Sequence, residues 1–232
     1  MIRVENLTVA YGAFKALTDI SVDLGQRGQV HSIIGPNGAG KSTFMDAIVG
    51  KRRPSAGRIF YKDRDISGDS IQRRRKNGMA RSFQKTSIFP GLTILEQLDL
   101  VAAHLNEPDL GAIIDTMDLR EVLHLEAARA AYGVQRRVDV ALGLIGMPDI
   151  LLLDEPGAGL SAEETANLFR HLRKLAAERD IAAVVVEHDV EAVFALSDVV
   201  TVLDLGRHLA TGTPAEIRAN PQVVAAYLGT AA

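Results

Sequence analysis

The chain has 232 residues, of which 47% are hydrophobic and 24% charged, and a formal net charge of −3. Those proportions are ordinary for a globular protein, and the length suits one domain or one domain carrying an inserted subdomain. The slightly acidic balance argues against a general nucleic-acid or membrane-surface binder, and the absence of cysteine excludes disulfides and thiolate metal sites.

Ile2, Val4, Leu7 and Val9 fall near alternate positions, and Ile20, Val22 and Leu24 alternate strictly. Both segments predict half-buried strands of an antiparallel sheet. The N-terminal segment lacks the apolar core of a signal peptide, and no run of about 18 apolar residues occurs, so a membrane role is expected only through a partner. Gln29 to Ile34 predicts a buried strand running into glycine, and Ile59 to Tyr61 a strand that rejoins the first sheet. The segment from about Gln84 to Ala131 reads as wholly helical, with Thr93 and Glu96 forming a capping box ahead of Ile94, Leu98 and Val101. "DILLLDEP" is a continuous apolar run ending in two acids, the pattern of a strand in a parallel sheet. Ser161 and Glu164 form a second capping box before Leu168, Leu172 and Leu175. "IAAVVVEHD" predicts another buried strand, and "VVTVLDLGRHLATG" a hairpin around Asp204 to Gly206. Thr213, Pro214 and Glu216 open a last helix. The basic runs at Lys51 to Arg53 and Arg73 to Lys76 read as solvated faces.

"GPNGAGKST" matches the phosphate-loop pattern G-x-x-x-x-G-K-[ST] and sits between a strand and a helix, as that pattern requires. The cradle runs through Gly35, Pro36, Asn37, Gly38, Ala39, Gly40, Lys41, Ser42 and Thr43. Its glycines let backbone N–H groups converge on phosphate oxygens, and the helix N-terminus adds partial positive charge. Lys41 is expected to reach the β- and γ-phosphates of ATP, and the Ser42 hydroxyl to bind Mg²⁺. Asp154, at a strand's carboxyl end, is expected to hold the same Mg²⁺, and Glu155 to act as general base on the attacking water. A lone pair of acids at a strand end is more often a solvated loop. Beside a phosphate loop in one parallel sheet, it reads as part of a site. His188 ends another strand on the same crevice and can contact the γ-phosphate. No Asn-Lys-x-Asp guanine motif occurs, which disfavours a GTPase.

With these motifs the chain resembles the ATP-binding subunit of ABC transporters over essentially its full length. The resemblance implies an α/β fold: a P-loop NTPase core (RecA-like) with an antiparallel β-subdomain and an inserted α-helical subdomain at about 85–135, within a single domain 1–232. It places Tyr11 where that family stacks an aromatic ring on adenine. Gln84, in "RSFQ", falls where a glutamine senses Mg²⁺ and water. "AAYGVQRR", Ala130 to Arg137, falls at the family signature, with Ala131, Gly133 and Gln135 facing the nucleotide of a second copy paired head to tail. Ala131 departs from the usual serine, Tyr132 from the first glycine and Val134 from the first glutamine. Ser161 stands where many relatives have aspartate. "YGVQRR", "EHD" and the C-terminal "GTPAEIRANPQVVAAYLG" are similar to the branch that imports branched-chain amino acids or related amide and urea solutes. The implied partners are a second identical or paralogous ATPase subunit, transmembrane permease subunits and, indirectly, an external solute-binding protein, with no nucleic acid. The implied place is peripheral, on the cytoplasmic face of the inner membrane. Two rivals stand beside this reading: a soluble ABC ATPase of the translation or DNA-repair type, and a regulatory module that binds ATP without turning it over.

Overall fold

The computed structural model describes residues 1–82 and 88–228. Two sheets carry the architecture. The first strands, β1 (Ile2–Tyr11) and β2 (Phe14–Leu24), form an antiparallel pair, interrupted by register shifts. Next come β3 (Val30–Ile34), the helix α1 (Lys41–Ile48), and β4 (Ala56–Tyr61) with β5 (Arg64–Asp65). The strand β4 returns to pair with β1, which gives a sheet in the order β2-β1-β4-β5. The expected rejoining of Ile59 to Tyr61 is therefore present.

A short helix α2 (Ile71–Lys76) leads into β6 (Met79–Ser82). The helices α3 (Ile94–Leu105), α4 (Leu110–Thr116) and α5 (Tyr132–Leu144) follow, and β7 (Ile150–Asp154) comes after them. The chain continues through α6 (Ala162–Arg179), β8 (Ala182–Val186), α7 (Val190–Leu196), β9 (Val199–Asp204) and β10 (Arg207–Gly212). Two short helices, α8 (Pro214–Ala219) and α9 (Pro221–Val223), end the described chain together with one π-helical turn. The second sheet has the order β10-β9-β3-β8-β7-β6 and is parallel except for the β9–β10 hairpin.

The periodicities explain these elements. All five residues of β3, β7 and β8 are buried, because both faces of this parallel sheet are covered. One face packs on α1 and the first sheet through Ile33, Phe44, Ile150 and Leu152. The other packs on α3, α5 and α6 through Leu98, Val138, Leu151, Leu153, Leu168 and Leu172. Truncating such a residue, Leu152→Ala for example, costs about 2–5 kcal/mol by transfer and cavity terms. The two expected capping boxes, at Thr93 and Ser161, are formed, and the cap at Thr213 completes a third with Glu216.

Two readings need correction, and one strand was missed. The segment from 84 to 131 is not wholly helical: between α4 and α5 it makes only the 3₁₀ turns Arg120–Val122 and Ala127–Arg129, and Thr93 bridges Glu126 in antiparallel fashion. The strand β6 was not foreseen, because four residues carry too little alternation to register. The basic run at 73–76 is not a wholly solvated face. Arg74 is 2% exposed and donates to the carbonyls of Ala47 (2.8 Å), Ile48 and Ile66 (2.5 Å). It satisfies the orphaned C-terminal carbonyls of α1. Burial pulls its pKa down to about 10, which still leaves it charged at neutral pH.

Candidate nucleotide site

The parallel strands point their carboxyl ends the same way, so β3, β7 and β8 deliver the phosphate loop, Asp154 with Glu155, and His188 to one edge. A cleft of about 370 Å³ lies there, lined by Phe14, Ala16, Asn37 to Thr43, Glu155 and His188. Two glycines are required by geometry. A Cβ on Gly35 would lie 2.0 Å from the Leu203 carbonyl oxygen. Gly40, the N-cap of α1, has φ 95° and a Cβ there would come within 2.9 Å of the Ala16 carbonyl oxygen. The first turn of α1 has neither a side-chain cap nor an acid, so its N–H groups and dipole are left for an external anion.

Lys41 is buried and folds back on its own loop, donating to the carbonyls of Gly35 (2.6 Å) and Pro36 (3.0 Å). Burial lowers its pKa, and the charges of Glu155 and Asp154 oppose that shift. A phosphate would offer the ammonium far better acceptors than two carbonyls.

Glu155 Oε1 and His188 Nε2 stand 2.5 Å apart. With the carboxylate ionised, the imidazole N–H is the donor. Glu155 has φ 49°, a left-handed conformation that costs an L-residue about 1–2 kcal/mol. Its amide donates to the Val186 carbonyl at 2.9 Å. Glu187, between the end of β8 and His188, is buried; it accepts from the amides of Gly157 (2.6 Å) and His188 (3.1 Å). Burial raises its pKa, against the pull of those two donors.

Asp154 is buried at the end of β7 and its pKa is raised by that burial, partly offset by Arg81. Its Oδ2 accepts from Arg81 Nη2 at 3.0 Å, while Oδ1 is buried with no hydrogen-bond partner among the described residues. An orphaned carboxylate oxygen beside a phosphate cradle is the donor a hard cation takes. No cluster of three His, Asp or Glu that could hold a metal occurs among the described residues, so a cation here would depend on phosphate oxygens and hydroxyls for its other ligands. Asp154 and the exposed Ser42 fit Mg²⁺ in that way. Gln84 lies outside the described residues.

Several expected residues sit differently. Tyr11 is half-exposed, with the Arg52 guanidinium 4.0 Å above its ring. It is not in the lining of the cleft; its hairpin partner Phe14, 68% exposed and unremarked in the sequence, is. Ala131 is the N-cap of α5 and supplies no side-chain cap, so the first N–H groups of that helix stay available. Gln135 turns its amide inward, donating to the Ala130 carbonyl at 2.9 Å. At Gly133 a Cβ would come within 2.7 Å of Glu164 Oε1, so the missing side chain already makes room for a carboxylate of the same chain. Arg81, Arg136 and Glu187 were not foreseen either; each acts on a partner distant in sequence.

A phosphate loop on β3, an acid pair ending β7 and a histidine after β8 define a P-loop ATPase of the mixed-sheet kind. Residues 17–158 match the ABC transporter family, and residues 207–232 match the C-terminal segment described as "Branched-chain amino acid ATP-binding cassette transporter". The chain is 35% identical to the high-affinity branched-chain amino acid transport ATP-binding protein LivG of Salmonella typhimurium, over 100% of this chain and 98% of that one. It is equally identical, with the same coverage, to BraF of Pseudomonas aeruginosa, of the same description. Among solved structures, it superposes on the ADP conformation of MJ1267, an ATP-binding cassette of an ABC transporter, with a TM-score of 0.88 and 27% identity over 99% of this chain and 98% of that one. A nucleotide-free cassette from an ABC transporter gives 0.86 and 27%, covering 98% of both. The chain belongs to the ABC transporter ATP-binding family. It is an ATP-binding subunit that hydrolyses ATP to power transport.

Proposed function

We propose that this chain is the ATPase of an importer for branched-chain amino acids or a related amide or urea solute. What supports the solute class is the match of residues 207–232 and the full-length similarity to LivG and BraF. In this reading the whole chain is one cassette domain, with about 85–135 as its helical subdomain. Two copies, or this chain and a paralogue, pair head to tail, so that the signature around Ala131, Gly133 and Gln135 meets the partner's nucleotide. The pair drives transmembrane permease subunits from the cytoplasmic face and meets a solute-binding protein only indirectly. No helix among the described residues is long and apolar enough to cross a membrane.

The chain's own residues would work as follows. The N–H groups of Gly38 to Thr43 and the α1 dipole bind the phosphates, and Lys41 leaves its two carbonyls to meet them. Phe14 and Tyr11 offer ring faces beside the cleft for the adenine. Mg²⁺, held by Ser42 and the free oxygen of Asp154 together with Gln84, would neutralise the phosphate charge. His188 turns its N–H from Glu155 toward the γ-phosphate. Glu155, released from that hydrogen bond, accepts the proton of the attacking water.

The observation that carries this reading is the Glu155–His188 contact of 2.5 Å on the cleft formed by the phosphate loop. The test is Glu155→Gln. Removing a general base costs about 10²–10⁴-fold in turnover. Phosphate release should fall by about that factor while ATP still binds, and the ATP-bound pair should accumulate as a species of doubled mass. Near-normal turnover would remove Glu155 from the chemistry.

A further inference from the structure

The left-handed backbone of Glu155 persists only because its surroundings hold it. Its carbonyl accepts from the Ala158 amide at 3.1 Å and from the Arg136 side chain, whose Nη2 donates at 2.6 Å. Arg136 is 1% exposed, and it lies on α5, one turn beyond Gly133. A guanidinium is kept out of water only where strong acceptors receive it. Here one of those acceptors is the peptide of the proposed general base.

The same end of α5 makes two more contacts with the segment after Glu155. A Cβ on Gly159 would come within 2.9 Å of the Tyr132 ring, and Gly133 faces Glu164 as described. Tyr132, Gly133 and Arg136 are neighbours on one helix face by their spacing of three and four. That face and residues 155–164 are therefore packed as one body.

We propose that Arg136 is a positioning residue that carries the placement of the signature helix to the general base of the same chain. This rests on the head-to-tail pairing proposed above. In that pairing the N-terminus of α5 answers the partner's nucleotide, whereas Glu155 serves the nucleotide on its own phosphate loop. Arg136 then joins the two sites of the pair. A shift of α5 reaches the Glu155 carbonyl through the short hydrogen bond from Arg136. A left-handed residue has few neighbouring conformations into which to absorb the shift. The arginines of "AAYGVQRR" thus divide: Arg136 faces inward to Glu155, and Arg137 pairs with Asp118 at 2.8 Å.

The test uses the full chain with three variants. Arg136→Met keeps the volume and removes the donors; Arg136→Lys keeps a charge and a donor; Tyr132→Ala loosens the same helix end from Gly159. Phosphate release is measured against ATP and Mg²⁺, and nucleotide affinity separately with ATP in EDTA. Arg136→Met should lower kcat by more than about tenfold and leave the EDTA affinity within about twofold. Arg136→Lys should recover at least about threefold of that loss. Adding Tyr132→Ala to Arg136→Met should cost less than about twofold more, because both act on one link. An unchanged kcat overturns the proposal. So does an affinity that falls by the same factor as kcat, a Lys variant no better than Met, or losses that multiply in the double variant. If Arg136→Met does not fold, Arg136→Gln, which removes the charge and shortens the reach to the Glu155 carbonyl, takes its place, and an unaltered kcat with intact EDTA affinity in that variant overturns the proposal equally. A wild-type rate per chain that does not rise with protein concentration, together with a Glu155→Gln chain that stays at single mass with ATP, means the pairing itself is wrong, and overturns the link between sites whatever the variants do.

Discussion

Arg81 bridges two acids at the edge of the cleft, and replacing it by methionine makes a demanding test of the site. Its Nη1 lies 2.8 Å from Asp46 on α1 and its Nη2 lies 3.0 Å from Asp154, and its side chain is 9% exposed. Two unit charges about 4 Å apart attract by about 4 kcal/mol at an effective permittivity of about 20, and the desolvation of all three groups offsets most of that. Removing the cation alone is different, because it strands carboxylates in a dry environment, at a cost of about 3–5 kcal/mol. Asp46 retains Lys51 at 3.2 Å, so the loss falls chiefly on Asp154, whose other oxygen has no hydrogen-bond partner among the described residues. We therefore expect Arg81→Met to lose about 3 kcal/mol of stability when no metal is present. A divalent cation on Asp154 replaces part of the missing charge. The stabilisation gained on adding Mg²⁺ at fixed ATP should then exceed that of the parent by about 1–2 kcal/mol, roughly a tenfold gain in apparent Mg²⁺ affinity. The assay is urea denaturation with ATP, with and without Mg²⁺, in a Glu155→Gln background that prevents turnover. An equal loss in both conditions would mean that Arg81 is a packing residue with no bearing on the metal.

Tyr11→Ala should weaken ATP by about 1–3 kcal/mol and free triphosphate hardly at all, since only base stacking is lost. If Phe14→Ala shows that contrast and Tyr11→Ala does not, the ring that lines the cleft is the adenine platform. His31 is buried and donates or accepts across 2.8 Å with Thr201, and burial lowers its pKa from 6.5 to about 4. The unfolded chain therefore binds that proton first, and the stability present above about pH 6.5 declines as pH falls toward about 4. A loss of about 2 kcal/mol between about pH 7 and about pH 5 is expected, and His31→Gln should flatten that slope in urea titrations. Ala131→Ser would give α5 the side-chain cap it lacks, and should raise the stability of the single chain by about 0.5–2 kcal/mol. A serine that instead strengthened only the ATP-bound pair, by sedimentation, would show that its hydroxyl serves the partner's phosphate rather than its own helix.

Local chemistry was legible in the residues. The phosphate loop, the three helix caps and the apolar runs of β3, β7 and β8 are each specified within a few neighbouring positions, so no tertiary knowledge is needed to read them. The convergence of Lys41, Glu155 and His188 also followed, because parallel strands present their carboxyl ends together. Only the tertiary structure decided what the arginines do. Arg74 and Arg136 carry the same side chain as Arg73 and Arg137 beside them in "RRRK" and "VQRR", Arg81 is the lone arginine of "MARS", and nothing local marks any of the three for its partner. Their roles depend on carbonyls and carboxylates brought within reach by packing: the end of α1 for Arg74, Asp46 and Asp154 for Arg81, and the Glu155 peptide for Arg136. The same holds for Gly133, whose missing side chain reads as an opening for a ligand until Glu164 is found against it. Backbone and capping preferences are short-ranged and are written in sequence. Where a long cation finds its acceptor is a property of the assembled chain, and no spacing along the sequence encodes it.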